Sequence, residues 1–587
     1  MDAATGSARV GTSPDMRWHA RPELQPDFVP AKLRKYLSGR APRPTGSLKL
    51  ANRIAFIGDG ELCDDLKCFA QIHPLHPDAA EPDADLLLIA GDWPRAGDPW
   101  RQALLNVSGQ ASRLRETIAR YKARGIPSAL WVTGEAATVE AYHHLKDAVD
   151  AMFVPAGVAL AGARALDAGV NVKLFNPFSE DPAATRADEP YFRFVVDGAH
   201  ELSQFLTPEA GMALLGPFLK FNTWLIDTSY HHQVASMKLH PACRRRFLGH
   251  SDARMRALLL KLAYGLLLPD VLGAARPAHC RKRAREAAAC KTLVFGAAAI
   301  CGGGFDGPAE LGSLLARALE DDVARVAAAH LAWRDVLCRH TMFERLETIL
   351  AAVNVPVSYD GVAHPRVNVV IPTVRPELIA FALAMFRAQT YANAHLTIVS
   401  NGVRVDDETA RAIHETANAG LCFVPGDKTI GYCMNYGIDQ TDADYWAKWD
   451  DDDIYGPHYL EDLLLQRKYV DFDVTGKAAF FNYIEERDRI HIRDFAARDA
   501  PSDHVGGGTL LVKREGRYFA EDGRGAEDRA FLFLARERGD RIVAGDPFNF
   551  MQIRRKDAAS HTWTLGAHAL DLRGPTRPGL ALESIIL

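Results

Sequence analysis

Four adjacent aspartates, Asp450 to Asp453, stand between an aromatic-rich run, Tyr445-Trp446-Ala447-Lys448-Trp449, and Ile454-Tyr455-Gly456-Pro457. Adjacent carboxylates repel one another, so folding alone does not ask for them. The aromatic run reads as a buried strand, and open α/β sheets hold ligands at the carboxyl ends of their strands. On an extended segment, Asp450 and Asp452 alternate and point to one face. Such hard oxygen ligands suit Mg2+ or Mn2+, ions that keep positions open for a diphosphate. The plain alternative is an acidic turn that caps the helix beginning near Leu460.

Other residues are placed to share that chemistry. Pro372, Thr373 and Arg375 end a buried strand, where a nucleotide base would lie at the mouth of a wound sheet. Asn401 follows a second strand and can hydrogen-bond a base or ribose. Glu527 and Asp528 open the apolar helix AFLFLA, where a carboxylate serves as a general base or as an N-cap. Gly506-Gly507-Gly508 allows close approach of backbone to a ligand.

These residues need a scaffold, and 587 residues are too many for one core, so two to four domains are expected. The first 50 residues are rich in Pro, Arg, Ser and Gly and read as a mobile leader. From 51 to 353 apolar strands alternate with helices, in halves of about 51–190 and 191–353, the pattern of parallel, doubly wound sheets. Helices are expected at 112–125, 312–329 and 339–353. Residues 354–365 read as a linker, and a further α/β domain fills 366–587, with a helix expected at 409–420. The net charge of −5 gives no electrostatic case for nucleic acid as a partner. Nine cysteines without a C-x-x-C pair predict reduced thiols. No signal peptide is visible, and the longest greasy stretch, Met255 to Leu268, is too short to span a bilayer. A cytoplasmic protein is expected, with peripheral association to the inner face of the plasma membrane left open.

From Val367 onward the motifs VVIPTVRPE, AQTY, TIVSNG, IGYCMNYGID, WDDDDIYGPHYL, HVGGGTLLVKR, GAEDRAFL and RRKDAASHTW resemble, in their order, the family-2 glycosyltransferases of GT-A fold. The resemblance implies a metal held by Asp450, Asp452 and a returning His561. It implies a catalytic base in the Glu-Asp element, Asp528 ahead of Glu527, and a single base opposite the leaving group means inversion. It also puts Pro372, Thr373, Arg375, Asn401, Asn435, Asp451 and Asp453 on the nucleotide-sugar. The family often has Asp-Asp-Gly-Ser where this chain has Ser400-Asn401-Gly402.

Residues 51–353 resemble the spore-maturation-type (CgeB-like) GT-B glycosyltransferases, in Trp93 to Trp100, ARGIP, REAAACKT and HTMFERL. That likeness implies a second donor site, with Glu286 on the ribose and Arg283 on the diphosphate. The alternative for Arg281, Lys282, Arg283 and Arg285 is a solvated basic helix face. Lys291 stands where that group usually has glycine.

Together the resemblances imply a metal-dependent inverting glycosyltransferase that uses Mn2+ or Mg2+. Its donor would be a UDP-sugar and its acceptor a glycan or glycolipid, in bacterial surface polysaccharide synthesis. Two alternatives stand beside this: both modules active, or an N-terminal module that is a non-catalytic acceptor-binding scaffold. A nucleotidyltransferase would carry a glycine-rich, lysine-bearing loop after the first C-terminal strand, and IPTVRPE lacks it.

Overall fold

The computed structural model describes residues 46–94, 97–107, 111–179, 193–198, 208–227, 246–250, 252–268, 277–296, 308–521, 527–556, 576–580 and 582–587. The first sheet has six parallel strands, in the order Gln71–Pro74, Arg53–Gly58, Leu86–Gly91, Ser128–Val132, Ala151–Val154 and Arg164–Ala165. Alternation along a strand sends neighbours to opposite faces. Ile54, Phe56, Leu86 and Leu88 therefore join one apolar cluster, and Ala55, Ile57, Leu87 and Ile89 another. The second sheet has five parallel strands, ordered Phe247–His250, Thr223–Asp227, Phe194–Asp197, Gly265–Leu267 and Leu293–Phe295.

The third sheet positions the aspartates. It has eight strands, in the order Ala419–Val424, Ala394–Asn401, Val367–Thr373, Tyr445–Lys448, Leu511–Lys513, Val474–Gly476, Ile542–Ala544 and Ala500–Pro501. The first four run parallel, and Leu511–Lys513 is antiparallel to both of its neighbours. A fourth sheet has at one edge Ile454–Tyr455, the strand that directly follows the aspartates. The chain is thus a mixed α/β structure with parallel sheets. Among the described residues, no helix is long and apolar enough to cross a membrane.

Two sequence expectations change. The helix expected at 409–420 is Asp407–His414, after which Ala419–Val424 pairs parallel to Ala394–Asn401. Asn418 makes the turn between them with a φ of 57°. The helices expected at 312–329 and 339–353 are three: Pro308–Glu320, Asp322–Arg339 and Met342–Ala352. Asp321 caps the second, and Thr341 with Glu344 forms a capping box on the third. Apolar periodicity runs across these breaks, so only the capping residues mark them. Segment 354–365 carries the strand Tyr359–Asp360, paired antiparallel with Lys49–Leu50. Asn52 Nδ2 donates to Pro356 O, and Asn52 Oδ1 accepts from Ser358 N. One apolar cluster continues from Phe56 and Leu88 through Trp333, Leu337 and Leu346 to Val369, Leu463 and Phe550.

Candidate active site

The strand Tyr445–Lys448 is buried between Val367–Thr373 and Leu511–Lys513, in the interior of the third sheet. Its ladder ends at Lys448, opposite Val370, with one more bond from Trp449 N to Val370 O. The aspartates are not extended, as the alternation argument assumed. They form a tight turn between Trp449 and Ile454. The turn sits on an aromatic platform, Trp449 stacked on Tyr455 at 4.2 Å with 4° between the rings. Tyr455 Oη accepts from Asp450 N at 2.8 Å and donates to Gly508 O at 2.6 Å. Tyr455 is therefore a structural ring beneath the turn.

Because the backbone turns, the four carboxylates face different partners. Lys448 Nζ reaches Asp450 Oδ1 at 2.5 Å and lies 3.5 Å from Asp528 Oδ2. Lys448 is buried, which alone would lower its pKa, but Asp450 and Asp528 outweigh burial and hold it protonated. Thr373 Oγ1 donates to Asp451 Oδ2 at 2.5 Å. Arg375 forks onto Asp451, and its Nη1 reaches Asp452 Oδ2 at 2.8 Å. Asp453 accepts from Ile553 N at 3.0 Å. Burial, then the neighbouring charges of Asp450 and Asp452, push its carboxyl well above the usual range.

Asp528 comes from the start of helix Glu527–Glu537, and the backbone of Gly507 and Gly508 separates it from the turn. A Cβ on Gly508 would lie 2.6 Å from Asp450 Oδ2 and 3.3 Å from Asp453 Oδ2. A Cβ on Gly507 would overlap Asp528 Oδ2. Burial raises the Asp528 carboxyl, with Lys448 opposing, and its Oδ1 is buried without a hydrogen-bond partner. A carboxyl of raised basicity with a free oxygen, a buried cation and neighbouring acids can accept a proton from a hydroxyl. Glu527 is half-buried beside it.

The remaining expected residues divide. Pro372 lies in register with Val399 at the end of its strand, one residue before Thr373. Asn401 Nδ2 donates to Lys428 O at 3.0 Å, while its buried Oδ1 has no partner and stays able to accept. Asn435 is committed to the chain itself, with Oδ1 accepting from Phe519 N and Nδ2 donating to Phe519 O and Glu521. His561 lies outside the described residues. Lys448 was missed in the sequence. A lysine inside a buried aromatic strand, two residues before the aspartates, was the available signal.

In the N-terminal half, the buried Glu286 pairs with the half-buried Arg283 at 2.7 Å, with Arg256 3.6 Å from Glu286 and Asp197 3.7 Å from Arg283. Against burial, Arg283 and Arg256 hold the Glu286 carboxyl down at about 2. Glu135 accepts from the backbone N–H groups of Ala278 and His279, at the start of the same helix. Lys291 Nζ pairs with Asp499 at 2.6 Å and lies over the Trp333 ring, tying this half to the third sheet.

Among the described residues, one trio of His and acidic side chains has donor atoms within 4.8 Å of one another: His330, Asp462 and Asp546. Arg334 reaches Asp462 at 2.7 Å and Lys477 reaches Asp546 at 3.0 Å. Both oxygens of Asp462 already accept from Arg334, His330 and Asn549, and both of Asp546 from Lys477 and Phe548 N, so the trio reads as a buried ion-pair network between helix Asp322–Arg339 and the third-sheet region.

No family model matches the chain. Over 102 residues it is 28% identical to an uncharacterised glycosyltransferase of Rickettsia conorii. The likeness is to a glycosyltransferase. The matched stretch covers 17% of this chain and 17% of that relative. Among solved structures, the mannosyltransferase PcManGT of Pyrobaculum calidifontis, determined with GDP-Man and Mn2+, is 18% identical. That match covers 33% of this chain and 58% of that one, with a TM-score of 0.26. S. aureus TarS is 17% identical over 32% of this chain and 36% of its own, with a TM-score of 0.25.

Proposed function

We propose that the chain is a metal-dependent inverting glycosyltransferase, working at the end of strand Tyr445–Lys448. The observation that carries this reading is the meeting of Asp528, Lys448 and Asp450 across the Gly507-Gly508 backbone. The Asp528 carboxylate, its side chain 34% exposed, takes the proton of the acceptor hydroxyl, which makes the hydroxyl oxygen the nucleophile. Lys448 holds the charges of Asp450 and Asp528 in one place. The unpartnered Asn401 Oδ1 accepts from the base or ribose of a nucleotide-sugar, a UDP-sugar in our reading, beside Pro372 and Thr373.

The oxygen-only donors of the aspartate turn fit Mn2+ or Mg2+, and the Gly508 cradle leaves the Asp450 and Asp453 oxygens unscreened by any side chain there. Asp450 and Asp452 would hold the ion, which when bound supplies Lewis-acid neutralisation of the departing diphosphate. The C-terminal region is on this reading a GT-A domain and the N-terminal pair of sheets GT-B-like. The pairing of Glu286 with Arg283, and of Lys291 with Asp499, supports an N-terminal module that is a scaffold without its own donor site. A glycan or glycolipid of a bacterial surface is the acceptor class this reading adopts.

Incubating the full chain with a panel of sugar nucleotides and Mn2+ tests it. Release of nucleoside diphosphate that depends on an acceptor and stops in EDTA is expected. Full activity in EDTA would sink the metal-dependent reading.

A further inference from the structure

Helix Pro277–Ala289 carries its arginines on two faces, and the face of Arg281 and Arg285 has no part in the proposed transfer. That face meets two other pieces of the fold, Asp167 beyond the first sheet and the junction of helices Asp322–Arg339 and Met342–Ala352. Asp167 Oδ2 accepts from Arg281 Nε at 3.1 Å and from Arg285 Nη2 at 3.0 Å. Its Oδ1 accepts from Arg281 Nη2 and from Ala156 N, both at 3.0 Å. Arg345, 5% exposed, donates to Asp167 O, to Arg339 O and to His340 Nδ1.

The charges do not balance. Three guanidiniums face one carboxylate. His340 stays neutral and adds no charge of its own, because burial and then Arg285 and Arg345 hold its pKa at about 4. Burial and Arg285 likewise bring Arg345 down to about 10. Asp335 is engaged with Arg339, and Glu344 with Lys468 and the Thr341 cap, so neither is spare. Most Arg donors here are used, but Arg285 Nη1 is buried without a hydrogen-bond partner. An uncompensated, desolvated cation is strongly destabilising unless an anion meets it. The Arg281 and Arg285 side chains are 18% and 17% exposed, while Arg285 Nη1 itself is buried, so an anion meets it by a turn of the Arg285 side chain.

We propose that the junction of Arg281, Arg285, Arg345 and Asp167 is a binding site for a phosphate-bearing anion, with Arg285 Nη1 as its open donor. The excess of two positive charges matches a phosphate dianion, and the planar Arg fork matches its oxygens. Because the first sheet, the second sheet's helix and the connecting helices all contribute, a bound anion ties three pieces of the fold together. Binding to the folded form alone raises thermal stability with the logarithm of phosphate concentration once that exceeds Kd.

The test is a titration of the full chain with inorganic phosphate at constant ionic strength in chloride, read by calorimetry and melting temperature. A saturable heat of binding is expected, with a melting temperature that climbs logarithmically with phosphate. Arg285→Gln weakens phosphate binding by about tenfold or more, because a charge-assisted donor is lost. Asp167→Asn tightens it, since the carboxylate competes for the same guanidiniums. Absence of a saturable effect in the wild type overturns the site. So does equal affinity in Arg285→Gln. If that variant fails to fold, Arg285→Lys, which keeps the charge but loses the fork, takes its place, and unchanged affinity there overturns the site equally.

Discussion

At the scale of single residues, Lys448 decides what the acidic turn can do. A buried ammonium 2.5 Å from Asp450 and 3.5 Å from Asp528 lets two half-buried acids sit side by side. Lys448→Met removes the shared cation while keeping the side-chain volume. Turnover is expected to fall by roughly 100-fold or more, as for loss of one preorganised charge, with the far-ultraviolet circular dichroism unchanged. Wild-type kcat in that variant would remove Lys448 from the account. The four aspartates and the Glu-Asp pair were legible because carboxylates in such positions serve no packing purpose. Their orientation was not. The extended reading of the turn missed that Tyr455 bonds back to Asp450 N and bends the chain within a few residues.

At the scale of elements, the turn Gly507–Thr509 and the helix Pro277–Ala289 carry the arguments. Gly507→Ala puts a methyl group onto Asp528 Oδ2, and Gly508→Ala puts one 2.6 Å from Asp450 Oδ2. Each is expected to cut turnover by roughly 100-fold through misplacement of the carboxylates while the melting temperature falls by only a few degrees. Unaltered kinetics in both would mean that the carboxylates do not work through this turn. On the helix, Glu286 has a folded pKa of about 2 against 4.5 for the free side chain. The unfolded chain therefore binds the extra proton first as pH falls. The stability Glu286 supplies is complete above about pH 4.5 and is lost as the pH falls towards 2. Glu286→Gln should flatten that part of the stability–pH curve, measured by denaturant unfolding, and leave sugar transfer unchanged. The sequence marked this helix as basic, but 3.6-residue periodicity alone does not say that Arg283 turns inward while Arg281 and Arg285 meet Asp167.

At the scale of the whole molecule, the N-terminal sheets and the third sheet share one apolar cluster and a buried polar network. Asp462 accepts from His330 at 2.9 Å, from Arg334 at 2.7 Å and from Asn549 at 2.9 Å. Arg334→Met strands part of that carboxylate's charge, and a loss of about 3 kcal/mol is expected, with both halves unfolding in one calorimetric transition. Two separate transitions would show that the halves do not depend on one another. The α/β rhythm of both halves was readable from strand–helix alternation. These contacts were not, since they join residues 87 to 132 positions apart and leave no local pattern.

The most direct test of the central claim is single-turnover transfer by Asp528→Asn, with the donor saturating and the acceptor present. A base acting in the transition state predicts unchanged donor affinity and a rate lower by about 100-fold to 10,000-fold. Wild-type rates in a correctly folded Asp528→Asn would contradict the assignment of Asp528 as the group that takes the acceptor's proton.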